Sequence, residues 1–326
     1  MKIIWGIIGA GDVCEIKSAP ALYSTSFSEV KTVMRRNAEK AADFAQRHKI
    51  PNWTTDIAEL LSDNEIDAIY IATPPASHAE ITIKAAKAGK AVYVEKPMAN
   101  SYKECLTMID ACQQANVPLF VAYYRRTLEG FVKVKELIES GTIGEVRYVN
   151  IEMIQPLQSE LIANSDTNWR VNPEIAGGGY FHDLASHQLD FLDFLFGPIT
   201  TAKGISMNQA GVYAADDIVT ATFKFESGVL GSGSWCFTSN AISENDSTKI
   251  VGSKGELSFN TFGNPMIIHL KTAKYGDEEF SFQHSQPIQK NLIKLIVDEL
   301  RGINKSPSTG ISAARTNKVM DEITKS

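Results

Sequence analysis

Apolar and polar positions follow one another along this chain in two rhythms, and the change between them falls near Ala122. Before that point, apolar runs rich in Ile, Val and Tyr are bounded by turn residues. They read KIIWGII, SEVKTVM, IDAIYIAT, KAVYVE and PLFVAY, and each predicts a strand. Between them a helical period predicts helices over 38–48, 56–61, 75–88 and 101–115. Ser101 is placed to cap the last of these with Glu104 reaching back, and Gly89 to end the one before it. Strands alternating with helices imply right-handed crossovers and a parallel sheet covered on both faces.

Beyond Ala122 the pattern predicts a helix over 128–140, a strand over 145–154, a polar loop carrying NWR, and a helix within 179–196. Long period-two runs follow. DDIVTATFKF turns at ESG into VLGSGSWCF, and STKIVG turns at SKG into ELSFN, which predicts an antiparallel sheet. Helices over 287–301 and 311–324 close the chain. The expected fold class is α/β: a doubly wound parallel sheet over 1–122, then an α+β domain over 123–326 with a large, mostly antiparallel open sheet. The last helix is a candidate to return to the first domain.

Composition narrows the function classes. A chain of 326 residues exceeds what one core usually serves, and 44% hydrophobic with 21% charged residues is an ordinary soluble balance. A net charge of −6 disfavours nucleic acid or an anionic membrane as the main partner. The four cysteines form no CxxC pair, which indicates neither a zinc site nor a disulfide framework and fits a reducing cytoplasm. The apolar start MKIIWGII is too short for a signal peptide and reads as a first strand.

That strand runs into GAGDV, residues Gly9, Ala10, Gly11, Asp12 and Val13. This is a dinucleotide fingerprint with Cys14 at the third glycine position. Gly9 permits the tight turn, Gly11 lets the backbone approach a pyrophosphate, and the next helix offers N–H donors. The third strand ends in ATPPASH, where Thr73, Pro74 and Pro75 form a second loop at the ligand-binding edge; His78 reads either as part of that loop's site or as a surface residue. The fourth ends on Glu95, Lys96 and Pro97. Adjacent charges at a buried strand's end make either a solvated ion pair or a cleft in which lysine holds a substrate oxygen. Further on, GGGYFHDLASHQLDFLDFLFG places Asp183, His187 and Asp190 in a polar row beside an apolar stripe. Such a histidine is a candidate acid or base. A capped surface histidine and a metal site on the same row are the alternatives.

The glycine loop, ATPPxxxH, EKP, WR before AGGG, and GGGYFxDxxxHxxDxxxxLFG, in that order, resemble the glucose-fructose oxidoreductase/inositol dehydrogenase/rhizopine catabolism (Gfo/Idh/MocA) family over essentially the whole chain. The resemblance implies a Rossmann domain and a C-terminal domain whose open sheet forms dimer or tetramer contacts. It also implies nicotinamide-dependent chemistry on sugars, cyclitols and related compounds, with catalytic residues at Lys96, Asp183 and His187. His187 is then the expected base, Asp183 its orienting partner and Lys96 the ligand of the reacting oxygen. Trp169 and Arg170 are expected to line the cofactor or substrate cleft, with Tyr124 and Tyr180 as further candidates and the loop 155–174 setting specificity. Two alternatives share these residues: a glycosidase that retains NAD and uses transient oxidation, and a cofactor-binding protein without chemistry. The second strand ends VMRRN, with Arg35 and Arg36 where an NAD-selecting acid would stand, so NADP is the expected cofactor, with NAD left open by Asn37.

Overall fold

The computed structural model describes residues 1–159, 161, 168–274 and 276–325. The chain divides into two compact units: residues 1–124 with 285–314, and residues 125–284 with 315–326. The segment 285–314, placed by the sequence pattern beyond the 122/123 boundary, thus packs with the first unit, and the last helix is shared between the two units.

The first unit is built on β1 (Ile3–Ile8), β2 (Ser28–Met34), β3 (Asn52–Thr54), β4 (Ala68–Ile71), β5 (Ala91–Val94) and β6 (Leu119–Val121). They lie in the order β3-β2-β1-β4-β5-β6, and every neighbouring pair is parallel. The crossovers carry α1 (Ala19–Ser24), α2 (Ala38–His48), α3 (Ile57–Ser62), α4 (His78–Lys87) and α5 (Tyr102–Gln114). All four residues of β4 and of β5 are buried, as a sheet covered on both faces demands. One face packs Ile69, Ile71, Val92 and Val94 with Leu60, Ile81, Ala85, Cys105 and Met108 from α3, α4 and α5. The other is aromatic: Tyr70 stacks on Tyr93 with ring centroids 5.1 Å apart, and Trp5 meets Tyr93 edge-on.

Caps follow the sequence closely. Ser101 accepts from the Glu104 N–H, but the Glu104 carboxylate reaches the N–H of Asn100, one residue earlier than a capping box requires. Gly89 adopts φ +72° just past α4.

The second unit carries α6 (Glu129–Glu139), β7 (Val146–Pro156), α7 (Pro173–Ala176), α8 (Ser186–Phe196), β8 (Ile199–Met207), β9 (Ile218–Phe225), β10 (Leu230–Ser239), β11 (Asn245–Gly252), β12 (Gly255–Phe259), β13 (Met266–Thr272) and β14 (Gly276–Phe282). The sheet order is β14-β13-β12-β11-β7-β10-β9-β8. β7 and β10 run parallel, and the other neighbouring pairs are antiparallel. β9 shows the period-two logic: Val219, Ala221, Phe223 and Phe225 are buried, and Thr220, Thr222 and Lys224 are exposed. The buried face packs on α6 and α8, where Phe131, Phe191 and Phe259 meet edge to face. The chain ends in α9 (Lys290–Leu300), within the first unit, and α10 (Gly310–Thr324).

Strands β3, β8, β13 and β14 had no counterpart in the sequence pattern. β3 is a three-residue edge strand, β8 opens with a register shift between Ile199 and Thr201, and β14 is an acidic edge strand whose sequence reads GDEEFSF. These three take their extended form from pairing with a neighbour, which local composition does not encode, whereas β13 does alternate, with Met266, Ile268, Leu270 and Thr272 buried.

Candidate active site

Ile8, Ile71, Val94 and Val121 are register partners across β1, β4, β5 and β6, so the loops that follow them share one edge of the first unit's sheet. Gly9 turns there with φ +87°, and a Cβ on it would lie 2.9 Å from the Thr73 backbone nitrogen; the glycine turn and the Thr73 loop touch with no room for a side chain. A Cβ on Gly11 would meet nothing within 4 Å. The surface beside Gly11 is therefore open to a bulky group, as a pyrophosphate site requires. Ala10 is buried beneath the turn, and Asp12 is exposed. After Val13 comes a π-helical turn, Cys14–Ser18, which widens the helix start where the third glycine is replaced. Cys14 is fully buried, and burial pushes its thiol up to about 12, which leaves it inert.

Past β2, Arg35 is half-buried and Arg36 exposed, while the Asn37 Oδ1 accepts from the Lys40 N–H as the cap of α2. Thr73, Pro74 and Pro75 lead into a short 3₁₀ turn, with the Ser77 hydroxyl donating to Thr73 Oγ1 at 2.7 Å. His78 is fully buried, so the surface alternative falls away. Glu95 is also buried: its Oε1 accepts from the Tyr70 hydroxyl at 2.6 Å and the Gln289 amide at 2.7 Å, and its Oε2 from the Lys96 N–H at 3.3 Å. Burial first, and then the Glu95 charge, push the Tyr70 hydroxyl well above its ordinary pKa, which keeps it a donor. The EKP stretch thus ties its glutamate to Tyr70 and Gln289. The glutamate is bonded inward, and the lysine, half-buried, precedes a cis bond to Pro97. Tyr124 is buried at the end of this unit.

In the second unit a short turn, Trp169–Val171, carries the WR pair, and Asn168 caps it through the Arg170 N–H. The Arg170 guanidinium lies over the Trp169 ring and donates to Asp183 Oδ2 at 3.0 Å. Asp183 sits in a second π-helical turn, Phe181–Ala185, which runs straight into α8. Close packing explains the glycines before it: a Cβ on Gly178 would overlap the His182 ring. Tyr180 is buried, and its hydroxyl accepts from the Asn168 amide. His187, 3% exposed, lies edge-on to Phe262, and the Arg125 guanidinium caps that ring 4.4 Å from its centroid.

The expected polar row does not survive intact. A π turn changes the angular step between Asp183 and α8, and Asp190 belongs to the core, where Arg126 grips both its oxygens at 2.8 and 2.6 Å with each partner 2% exposed. A metal site on that row would have to break this pair. Phe262 and Arg125 beside His187 were missed. Arg125 had a signal, since YYRR directly follows the sixth-strand loop; Phe262 had none, being about 75 residues from His187 in a loop of ordinary composition.

A parallel sheet of order 3-2-1-4-5-6 with a glycine turn after β1 defines a dinucleotide-binding Rossmann unit, here in one chain with an open-sheet unit bearing a buried Arg–Asp pair and a histidine. The class is an oxidoreductase. The chain belongs to the Gfo/Idh/MocA family: residues 3–123 match the oxidoreductase family, NAD-binding Rossmann fold, and residues 131–258 match the GFO/IDH/MocA C-terminal domain. It is 39% identical over 321 residues to Oxidoreductase P35 of Formosa agariphila, covering 98% of each chain. It is 30% identical over 255 residues to a levoglucosan dehydrogenase of Pseudarthrobacter phenanthrenivorans, covering 71% of this chain and 64% of that protein. The fold matches a 3-ketoreductase from Actinomadura kijaniata solved with NADP, with a TM-score of 0.84 at 18% identity over 98% of this chain and 97% of that one. Among the described residues no helix is long and apolar enough to cross a membrane.

Proposed function

We propose that this oxidoreductase moves a hydride between a nicotinamide and a carbinol or carbonyl carbon of a sugar, cyclitol or related polyol. The observation that carries this reading is the inward bonding of Glu95 in the EKP stretch, which holds the Lys96 backbone at the edge shared by the glycine and Thr73 loops. The levoglucosan dehydrogenase relative supports the substrate class. The nicotinamide, when bound, supplies or accepts the hydride. Gly9, Gly11 and the Thr73–Pro75 loop are the groups that would hold the dinucleotide, and the open side of Gly11 fits it. Lys96 donates a hydrogen bond to the reacting oxygen, and His187 takes the hydroxyl proton in the oxidative direction. Asp183, held by Arg170, orients the histidine and offsets the charge it gains.

NADP is the preferred cofactor in this reading, because exposed Arg36 and half-buried Arg35 suit a 2′-phosphate and the Asn37 oxygen is already bonded to α2. Specificity comes from the loop 155–174, of which residues 160 and 162–167 lie outside the described structure. The chain acts as a homo-oligomer through the solvent face of the large sheet, where Tyr148, Ile205, Met207 and Leu230 are exposed; a monomer mass in light scattering would refute this. The test of the reaction is a screen of sugars, polyols and ketosugars with both cofactors, read at the nicotinamide absorbance. A substrate that gives net reduction or oxidation supports a dehydrogenase, and cleavage of an aryl glycoside without absorbance change refutes it. On that substrate His187→Asn should lose most turnover; wild-type turnover across pH would remove His187 as the base.

A further inference from the structure

His78 begins α4 with no exposed surface, and both of its ring nitrogens face main-chain oxygens. Nε2 lies 2.7 Å from the Thr73 oxygen. Nδ1 lies 3.1 Å from the Pro97 oxygen and 3.3 Å from the Met98 oxygen. A carbonyl oxygen only accepts, so both ends are hydrogen bonds when both nitrogens carry protons. Burial pushes this imidazole below its ordinary pKa, and the Thr73 carbonyl, the Glu95 charge and the Pro97 and Met98 carbonyls offset only part of that; it is the short contacts at both ring nitrogens that fit a ring protonated at both. The two segments it joins are the loop after β4 and the three residues that begin with Lys96. Each is tied down elsewhere too: Ser77 bonds Thr73 and the Pro74 oxygen, and Glu95 bonds the Lys96 N–H.

We propose that His78 is a positioning residue, which sets the Lys96–Met98 segment through Nδ1 and the Thr73–Pro75 loop through Nε2, so that one ring registers the lysine against the cofactor loop. This rests on the roles proposed above for Lys96 and the Thr73 loop. It touches neither substrate nor cofactor, and acts through backbone carbonyls alone.

The two ends of the ring can be tested separately. In His78→Asn the new amide nitrogen falls near Nδ1 and keeps the Pro97 and Met98 end; in His78→Gln it falls near Nε2 and keeps the Thr73 end. Two readouts on the full chain need no substrate. Dissociation constants for NADPH and NADH, from quenching of tryptophan fluorescence, report the Thr73 loop. The rate of Lys96 acetylation by acetic anhydride, from peptide mass spectrometry, reports the lysine. His78→Asn should weaken cofactor binding about ten-fold, the worth of one buried hydrogen bond, and leave the Lys96 rate within about two-fold. His78→Gln should do the reverse. Equal changes at both readouts in both variants, or none in either, would overturn the proposal. Should a variant fail to fold, the unmutated protein decides through ¹⁵N-histidine NMR: cross-relaxation from the two ring N–H protons to Thr73 and to Met98 supports it, and absence of either refutes it. Failure of the catalytic assignment shows separately, as turnover retained by Lys96→Ala.

Discussion

Replacing Arg126 by methionine tests whether Asp190 is a structural rather than a chemical group. The guanidinium makes two charged hydrogen bonds to Asp190, at 2.8 and 2.6 Å, with both partners 2% exposed. Burial already pushes the Asp190 carboxyl up to about 6 against the pull of Arg126. Methionine fills similar volume without donors and leaves the carboxylate with the Thr316 hydroxyl, 3.4 Å away. Breaking a buried pair from one side costs about 3–5 kcal/mol, because the remaining charge is uncompensated. At roughly 2–4 °C per kcal/mol for a unit of this size, the melting temperature of the second unit should fall by about 6–20 °C. A second change, Asp190→Leu, removes the orphaned charge, and the double variant should recover most of the loss, since an apolar pair of similar volume is about neutral. Urea titrations of the four proteins give the coupling. A single-variant loss below about 1 kcal/mol, or a double variant less stable than the sum of the singles, would refute the reasoning. The double variant should also keep its turnover, as a core pair outside the chemistry must.

Gly11→Val should leave the melting temperature unchanged, because its side chain enters open space, yet raise the dissociation constants for both nicotinamide cofactors by at least about ten-fold; unchanged binding would move the pyrophosphate site elsewhere. Arg36→Ala should weaken NADPH about ten-fold or more, one charged hydrogen bond being worth about 1.5–3 kcal/mol, and spare NADH; equal losses, or tighter wild-type binding of NADH, would refute the assignment of Arg36. Burial pushes the Asp246 carboxyl from 3.8 up to about 6, against the Phe262 N–H and Arg125. A carboxyl raised on folding favours the fold below its unfolded pKa and loses that advantage as pH rises through the folded value. Asp246→Asn should therefore match the wild type near pH 4 and exceed it above pH 6 by up to about 3 kcal/mol; a stability difference that does not change with pH would count against it.

The Rossmann unit was legible because its signals are local. Runs such as AIYI and AVYV bury all four residues, and a fully apolar strand flanked by helical stretches has few other fates. The same holds for the glycine turn and for α2, since each lies within one short stretch. What the chain does not carry locally is which polar groups meet. Asp183 and Asp190 look alike in GYFHDLASHQLD, yet one pairs with Arg170 beside a π turn and the other with Arg126 in the core. Glu95 is one of two adjacent charges, yet what bonds it inward is Gln289, about 190 residues away. His78 reads either as part of the loop's site or as a surface residue until Thr73, Pro97 and Met98 close around it. Hydrophobic period sets the element and the face a residue takes, because burial of apolar area is additive and local along the chain. The partner of a buried polar group depends on direction and distance across elements, and only the folded chain decides that.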